Sequence, residues 1–164
     1  MRAFLRRLHF DAIVAFGPLP LACLFVFRIP FAWSCVAWLA ATYAIRMFAV
    51  TAGFHRYFSH RSFKVQRVTQ FFFAFLAQTT AQKGVLWWAA HHRLHHRYSD
   101  TEQDAHSPAH QGFWWSHIGW LVSIDSDAYD RTIVQDLAAY PELLLLNKYH
   151  RVPAILFGAA VFAI

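Results

Sequence analysis

Apolar residues fall into runs along this chain, and the polar residues gather between the runs rather than alternating within them. Residues 31–50, FAWSCVAWLAATYAIRMFAV, reach the roughly 20 residues a helix needs to cross the hydrocarbon core of a bilayer. Residues 12–27 form a shorter run that contains Pro18 and Pro20. With Arg28, Ile29 and Pro30 as the turn, the two runs predict a transmembrane helical hairpin over residues 1–50. The basic start MRAFLRR before an apolar stretch is also how a signal peptide begins. No small-x-small cleavage site precedes Arg28, however, and a second apolar run follows at once, so an uncleaved membrane segment is expected. Arg46, near the end of the second run, can snorkel to the interface.

Residues 68–81, VTQFFFAFLAQTTA, are apolar but short for a span. They predict an in-plane or membrane-dipping helix that returns the chain to the side it left. Residues 98–111 are polar and loop-like, and the GFWWSHIGWLV that follows is rich in Trp, which predicts a segment seated at the membrane interface. Residues 152–164, VPAILFGAAVFAI, read as the start of a further transmembrane helix, so the chain is expected to be the N-terminal part of a larger protein. There is no internal repeat and no low-complexity linker. The expected class is all-α, an integral membrane helical protein whose interfacial helices face the cytoplasm.

Composition sharpens the membrane reading. Of 164 residues, 57% are hydrophobic and only 15% charged, against about 25% charged in a typical soluble domain. The net charge of +6 comes with no Lys/Arg-rich run or nucleic-acid motif, so basic residues at a membrane surface explain it better than nucleic acid does. Arg2, Arg6 and Arg7 precede the hairpin and Arg56, Arg61, Lys64 and Arg67 follow it, while its turn has only Arg28. The positive-inside rule then puts both ends of the hairpin in the cytoplasm. Cys23 and Cys35 sit in apolar stretches and form no metal-binding pair.

Histidine is the residue that carries chemistry here. HRYFSH ends at His60, and HHRLHH runs from His91 to His96, each after an apolar run. At 100° per residue, His92, His95 and His96 fall within an arc of about 100°, with His91 just outside it. Three imidazoles on one narrow face can converge on a metal, and neutral imidazole suits iron, zinc, copper and nickel. His55 and His60 are separated by about 140° on a regular helix, so they share a site only if the helix ends or bulges between them. The SHRS that follows offers such an end, and Gly53 allows close backbone packing just before. His9, His110 and His150 read as structural, as do His106 and His117 on balance. There is no HExxH, no acid between His55 and His96, and no GxSxG, which turns the reading away from zinc or serine hydrolysis and towards redox iron.

These motifs resemble the membrane fatty acid desaturase family, and within it the acyl-CoA delta-nine (stearoyl-CoA) type. TAGFHRYFSHRSFK is similar to its first histidine box, HxxxxH, and HRLHHRYSDTEQDAHSP to its second, HxxHH, with its usual continuation. GFWWSHIGWL also resembles the family after that box, so the resemblance covers about Thr51 to Leu121. It implies a di-iron enzyme that uses oxygen and two electrons to insert a cis double bond in an acyl chain, supplied by a donor of cytochrome b5 or ferredoxin type. The implied iron ligands are His55, His60, His92, His95 and His96, and Gln82 and Trp88 fall where the family lines its acyl tunnel. His91 matches no ligand. Ala90 and His91 stand where animal acyl-CoA desaturases carry an Arg-Asp pair, which leaves CoA, lipid and carrier-protein substrates open. The family's third HxxHH box has no counterpart in residues 1–164, so this chain alone is expected to be inactive. A related di-iron membrane hydroxylase and a non-catalytic metal-binding remnant are the alternatives.

Overall fold

The computed structural model describes residues 21–163. Most of the first limb of the expected hairpin, with Pro18, Pro20, His9 and the N-terminal arginines, lies outside the described residues. Every regular element among the described residues is helical, and none is a strand. A tight 3-10 turn, Cys23–Arg28, ends in extended backbone at Ile29. The first long helix, α1 (Trp33–Phe48), starts just after Pro30, whose ring confines the residue before it to extended backbone.

The helix does not stop at Val50. It runs on as a π-helix, Ala49–Ser59, to give a continuous rod of 27 residues, Trp33–Ser59. That rod is long and apolar enough to cross a membrane. Its widening has a local cause. The Thr51 hydroxyl donates to the carbonyls of Met47 and Phe48, at 2.8 and 3.3 Å, where the backbone bonding changes register. The rod ends where Arg61 takes a left-handed conformation (φ 53°) and Ser62 N–H turns back to the Arg56 carbonyl at 3.0 Å. The expected end at SHRS is thus found, nine residues beyond the apolar run.

The two helices that follow are α2 (Arg67–Gln78) and α3 (Val85–Tyr98), and the C-terminal part adds α4 (Pro141–Lys148) and α5 (Arg151–Phe162). The residues form two compact units. Among the described residues, one combines 39–97 with 129–163; the other combines 21–38 with 98–128. In the first, α2 buries Gln70, Ala74, Ala77 and Gln78, a stripe at helical spacing, against the π-helix. Gly53 makes that approach close: a Cβ there would meet the Phe73 carbonyl at 3.4 Å and the Ala77 methyl at 3.6 Å. Phe54, Phe58, Val85, Leu86, Val134, Leu137 and Leu143 are fully buried in one core, each worth about 1.5–3 kcal/mol against exposure.

The start of α3 has no capping residue of its own. Its first N–H groups are received from elsewhere: Val85 by the Gln78 side-chain oxygen at 3.0 Å, Leu86 and Trp87 by Asn147 Oδ1 at 3.0 and 3.1 Å. Gln78 also donates to the Leu146 carbonyl at 3.0 Å, which ties α2 to α4. Gly84 makes room for this arrangement, since a Cβ there would run into the Asn147 side chain and come within 2.9 Å of its Cα. A bidentate pair from Arg67 to Glu142, at 2.7 and 2.8 Å, adds a second tie between α2 and α4. Pro141 opens α4 at its first turn, where the missing N–H costs nothing.

In the other unit, residues 98–128 form turns and short helical pieces. Asp104 is almost fully buried and receives the N–H groups of Asp100 and His106 together with the His106 ring. The Trp-rich stretch forms a π turn, Trp115–Gly119, with Phe113 and Trp114 exposed.

Candidate metal centre

The π-helix resolves the spacing of the first histidine pair. His60 N–H donates to the His55 carbonyl at 3.1 Å, a bond between residues five apart that stacks one above the other. The Ser59 hydroxyl repeats the pattern on the Phe54 carbonyl at 2.8 Å. As a result the His55 and His60 rings meet edge to face with centroids 4.5 Å apart. From α3, His92 and His96, one turn apart, face them. His92 Nε2 lies 3.2 Å from His60 Nε2 and 3.1 Å from His96 Nε2.

One ring nitrogen from each of His55, His60, His92 and His96 falls within 4.8 Å of the others. Two imidazole nitrogens at right angles on one metal, each about 2.0–2.1 Å from it, would be about 3 Å apart. The 3.1 and 3.2 Å separations match that. The donor set fits a first-row metal that takes imidazole. No carboxylate belongs to this foursome, which disfavours a hard cation such as magnesium or calcium.

Electrostatics keep the rings ready as ligands. Burial, followed by the neighbouring rings of His55, His96, His60 and His95, pushes His92 down to about 3. His60 is lowered as well, by burial first and then by His55, His96 and Arg93. Both imidazoles are therefore neutral at physiological pH, with a lone pair available and no proton to displace.

The remaining sequence-predicted residues take distinct places. His95 is on α3 beside the foursome, its ring 6.2 Å from that of His92 and 5.5 Å from that of His96. Trp88 stacks on His92 (4.7 Å, 25°) and on Phe54 (5.2 Å, 11°). Its indole N–H donates to Gln82 Oε1 at 3.1 Å, so the two residues expected to line an acyl path are joined to each other and to a ring of the cluster. His91 points elsewhere: its Nδ1 is 2.9 Å from the Trp87 carbonyl and its ring stacks on Trp87. His110 lies against the Asp100 carbonyl at 2.9 Å, His117 is stacked on Phe113, and His150 lies 3.2 Å from the Asn147 carbonyl.

Sequence reasoning passed over Arg93, which stands between His92 and His95. Its guanidinium donates to the carbonyls of Phe58, Ser59 and Ile133 and, through two bonds of 2.8 and 3.0 Å, to Asp136. Asp136 is far along the chain in a stretch without a motif, so no local pattern marks the pair.

Residues 11–164 match the sequence profile of the fatty acid desaturase family. The chain is 42% identical over 142 residues to the acyl-CoA C20 Delta5-desaturase of Anemone leveillei, covering 85% of this chain and 43% of that protein. It is 35% identical over 148 residues to the sn-1 stearoyl-lipid 9-desaturase of Anabaena variabilis, covering 89% and 50%. Stearoyl-CoA desaturase 5 of Homo sapiens is 35% identical over 123 residues, covering 73% and 37%. The chain thus spans half or less of the length of each of these relatives.

Proposed function

Because the chain belongs to the fatty acid desaturase family, we propose that it serves the oxygen-dependent insertion of a cis double bond into a saturated fatty acyl chain. The observation that carries this reading is the convergence of four imidazoles, His55 from the π-helix, His60 at its end and His92 and His96 from α3, backed by Trp88. In this proposal His55, His60, His92, His95 and His96 are iron ligands, part of the set for two iron ions in the whole protein. Iron, when bound, supplies the oxidising power to take hydrogen from an unactivated methylene, which no side chain can do. The protein's own share is to orient the ligands and to shape a dry channel for the acyl chain. Gln82 and Trp88 line that channel, with the indole face fixed by its bond to Gln82.

The substrate is a fatty acyl group carried on CoA or in a lipid; relatives named for each carrier are similar to this chain. Electrons come from a cytochrome b5 or ferredoxin type donor. The protein is multi-pass in the membrane, residues 1–50 form a hairpin, residues 51–121 carry the two boxes on the cytoplasmic side, and residues 152–164 begin a further span.

The test is expression in a host without its own desaturase, followed by gas chromatography of its fatty acids. Residues 1–164 alone are expected to give no new unsaturated chain, because the family's third histidine box is not among them. Joined to the later part of a full-length relative, they should give monounsaturated product, and His92→Ala in that fusion should abolish it. A fusion that stays active with His92→Ala would refute the ligand assignment.

A further inference from the structure

We propose that Arg93, clamped by Asp136, is the positioning residue that sets the gap between the two histidine-bearing helices. Through that gap it governs how tightly, and in what ligand field, His55, His60, His92 and His96 hold a metal. The inference rests on the reading of those four residues as a metal site.

The strut begins at the end of the π-helix. Its last carbonyls have no bond within the helix and need an outside donor. Arg93 supplies it, with Nη2 at 2.7 Å from the Phe58 carbonyl and Nε at 3.1 Å from that of Ser59. His60 follows Ser59 directly, and His92 directly precedes Arg93. Each end of the strut is thus one residue, about 3.8 Å of chain, from an imidazole of the cluster. On an α-helix consecutive residues point about 100° apart, so Arg93 leaves α3 on a different side from His92 and acts through the backbone, without approaching the ring nitrogens.

The strut is itself held. The Nη1 group donates to the Ile133 carbonyl at 2.8 Å, and Asp136 grips both Nη groups. The Arg93 side chain is only 18% exposed, so its five bonds are little diluted by water. Asp136 also pairs with the guanidinium, which tempers without removing the effect of its charge on His60. Only a guanidinium presents this many donors in one rigid plane; a lysine ammonium keeps the charge and loses the fork. In metal sites, residues that orient the ligands typically change affinity by 10–100-fold when removed.

A second ion pair provides the control. Arg67 and Glu142 make a bidentate bond of similar geometry between α2 and α4, but neither adjoins a histidine of the cluster. The experiment is titration of the full purified chain in detergent with Co(II), which reports affinity and ligand field through its visible absorption band, alongside thermal melting. Arg93→Lys and Asp136→Asn are each expected to weaken Co(II) binding by about tenfold or more and to shift the band. Arg67→Lys and Glu142→Gln are expected to lower the melting temperature while leaving affinity and band as in the unmodified chain. Arg93→Lys and Asp136→Asn proteins with unchanged affinity and band would overturn the proposal and leave the metal reading standing. If both fail to fold while Arg67→Lys folds, the pair is a determinant of folding and the positioning role is rejected. An unmodified chain that takes up no Co(II) would refute the metal reading itself.

Discussion

The backbone N–H of His60 is bonded to the carbonyl of His55 at 3.1 Å, and this one bond puts two rings five residues apart within 4.5 Å of each other. An α-helical bond would have left them on different sides of the rod. Because both then face His92 and His96, His55→Ala and His60→Ala are each predicted to weaken iron or cobalt binding by about tenfold or more. His92→Ala together with His96→Ala should abolish it. His91→Gln should change it less than twofold, since His91 is directed to the Trp87 carbonyl. Calorimetric titration of each purified variant decides this, and a His55→Ala protein that binds like the unmodified chain would remove His55 from the site.

Gly84 is where α3 meets Asn147 most closely. A methyl group there would lie 2.7 Å from Asn147 Cγ and 2.9 Å from its Cα, both far inside contact distance. Gly84→Ala is therefore predicted to destabilise the protein by about 1–3 kcal/mol, the range for overpacking, and to loosen the cap on α3. The measure is thermal or denaturant melting in detergent. A variant as stable as the parent would mean that Asn147 can move aside without losing its bonds to Leu86 and Trp87.

Acid should loosen the fold through Asp136. Burial opposes its charge, but the hydrogen bonds from Arg93, then the charges of Arg93 and Arg61, hold its carboxyl below the ordinary 3.8. Hydrogen bonding to Arg67 lowers Glu142 in the same way. For a carboxyl whose folded pKa is depressed, the unfolded chain takes up protons first as pH falls. The stabilisation is therefore full above about pH 5 and is lost through pH 4 and below. Melting temperature measured from pH 7 to pH 3 should drop, and Asp136→Asn should start lower at pH 7 and drop less. A parallel curve for the variant would exclude Asp136 as a source of the acid sensitivity.

Orientation can be read by labelling. Cys23 and Cys35 are exposed and free, so both are first changed to Ala. New cysteines at Ser62 and Ser99, both exposed, should then be shielded from an impermeant thiol reagent added to intact cells. A cysteine at Ile29, where the side chain is 62% exposed, should react more readily. Labelling of Ser62→Cys in intact cells would reverse the assigned topology.

The legible part of this structure was what local pattern encodes. Apolar runs marked α2 and α5, the two histidine boxes marked the residues whose rings converge, and the match to known motifs singled out Gln82 and Trp88, which are hydrogen-bonded to each other. Four features escaped for physical reasons. The helix beginning at Trp33 runs to Ser59 rather than ending near Val50, because polar residues such as His55 find partners on α3. The π register is set by the Thr51 hydroxyl and by the packing of α2 on Gly53, neither of which a fixed 100° step contains. Arg93 and Asp136 are 43 residues apart, and an ion pair at that separation leaves no periodic trace. His95 shares an arc with His92 and His96 in projection, yet its ring stands beside the foursome, since projection ignores how far each side chain reaches.

Two donors at the start of α3, the N–H groups of Leu86 and Trp87, are satisfied by Asn147, 61 and 60 residues further along the chain. On the ribosome, then, the second pair of imidazoles is made well before the residue that anchors its helix. At about 5–20 residues per second the delay is roughly 3–12 s. In that interval the nascent rod and α2 can already pack, but α3 has neither Asn147 at its start nor Asp136 to fix Arg93. The four nitrogens are brought to a common point only when the C-terminal helices have emerged. The proposed metal site is consequently assembled only after Asp136 and Asn147 have been made, and the first histidine pair does not form it alone during synthesis.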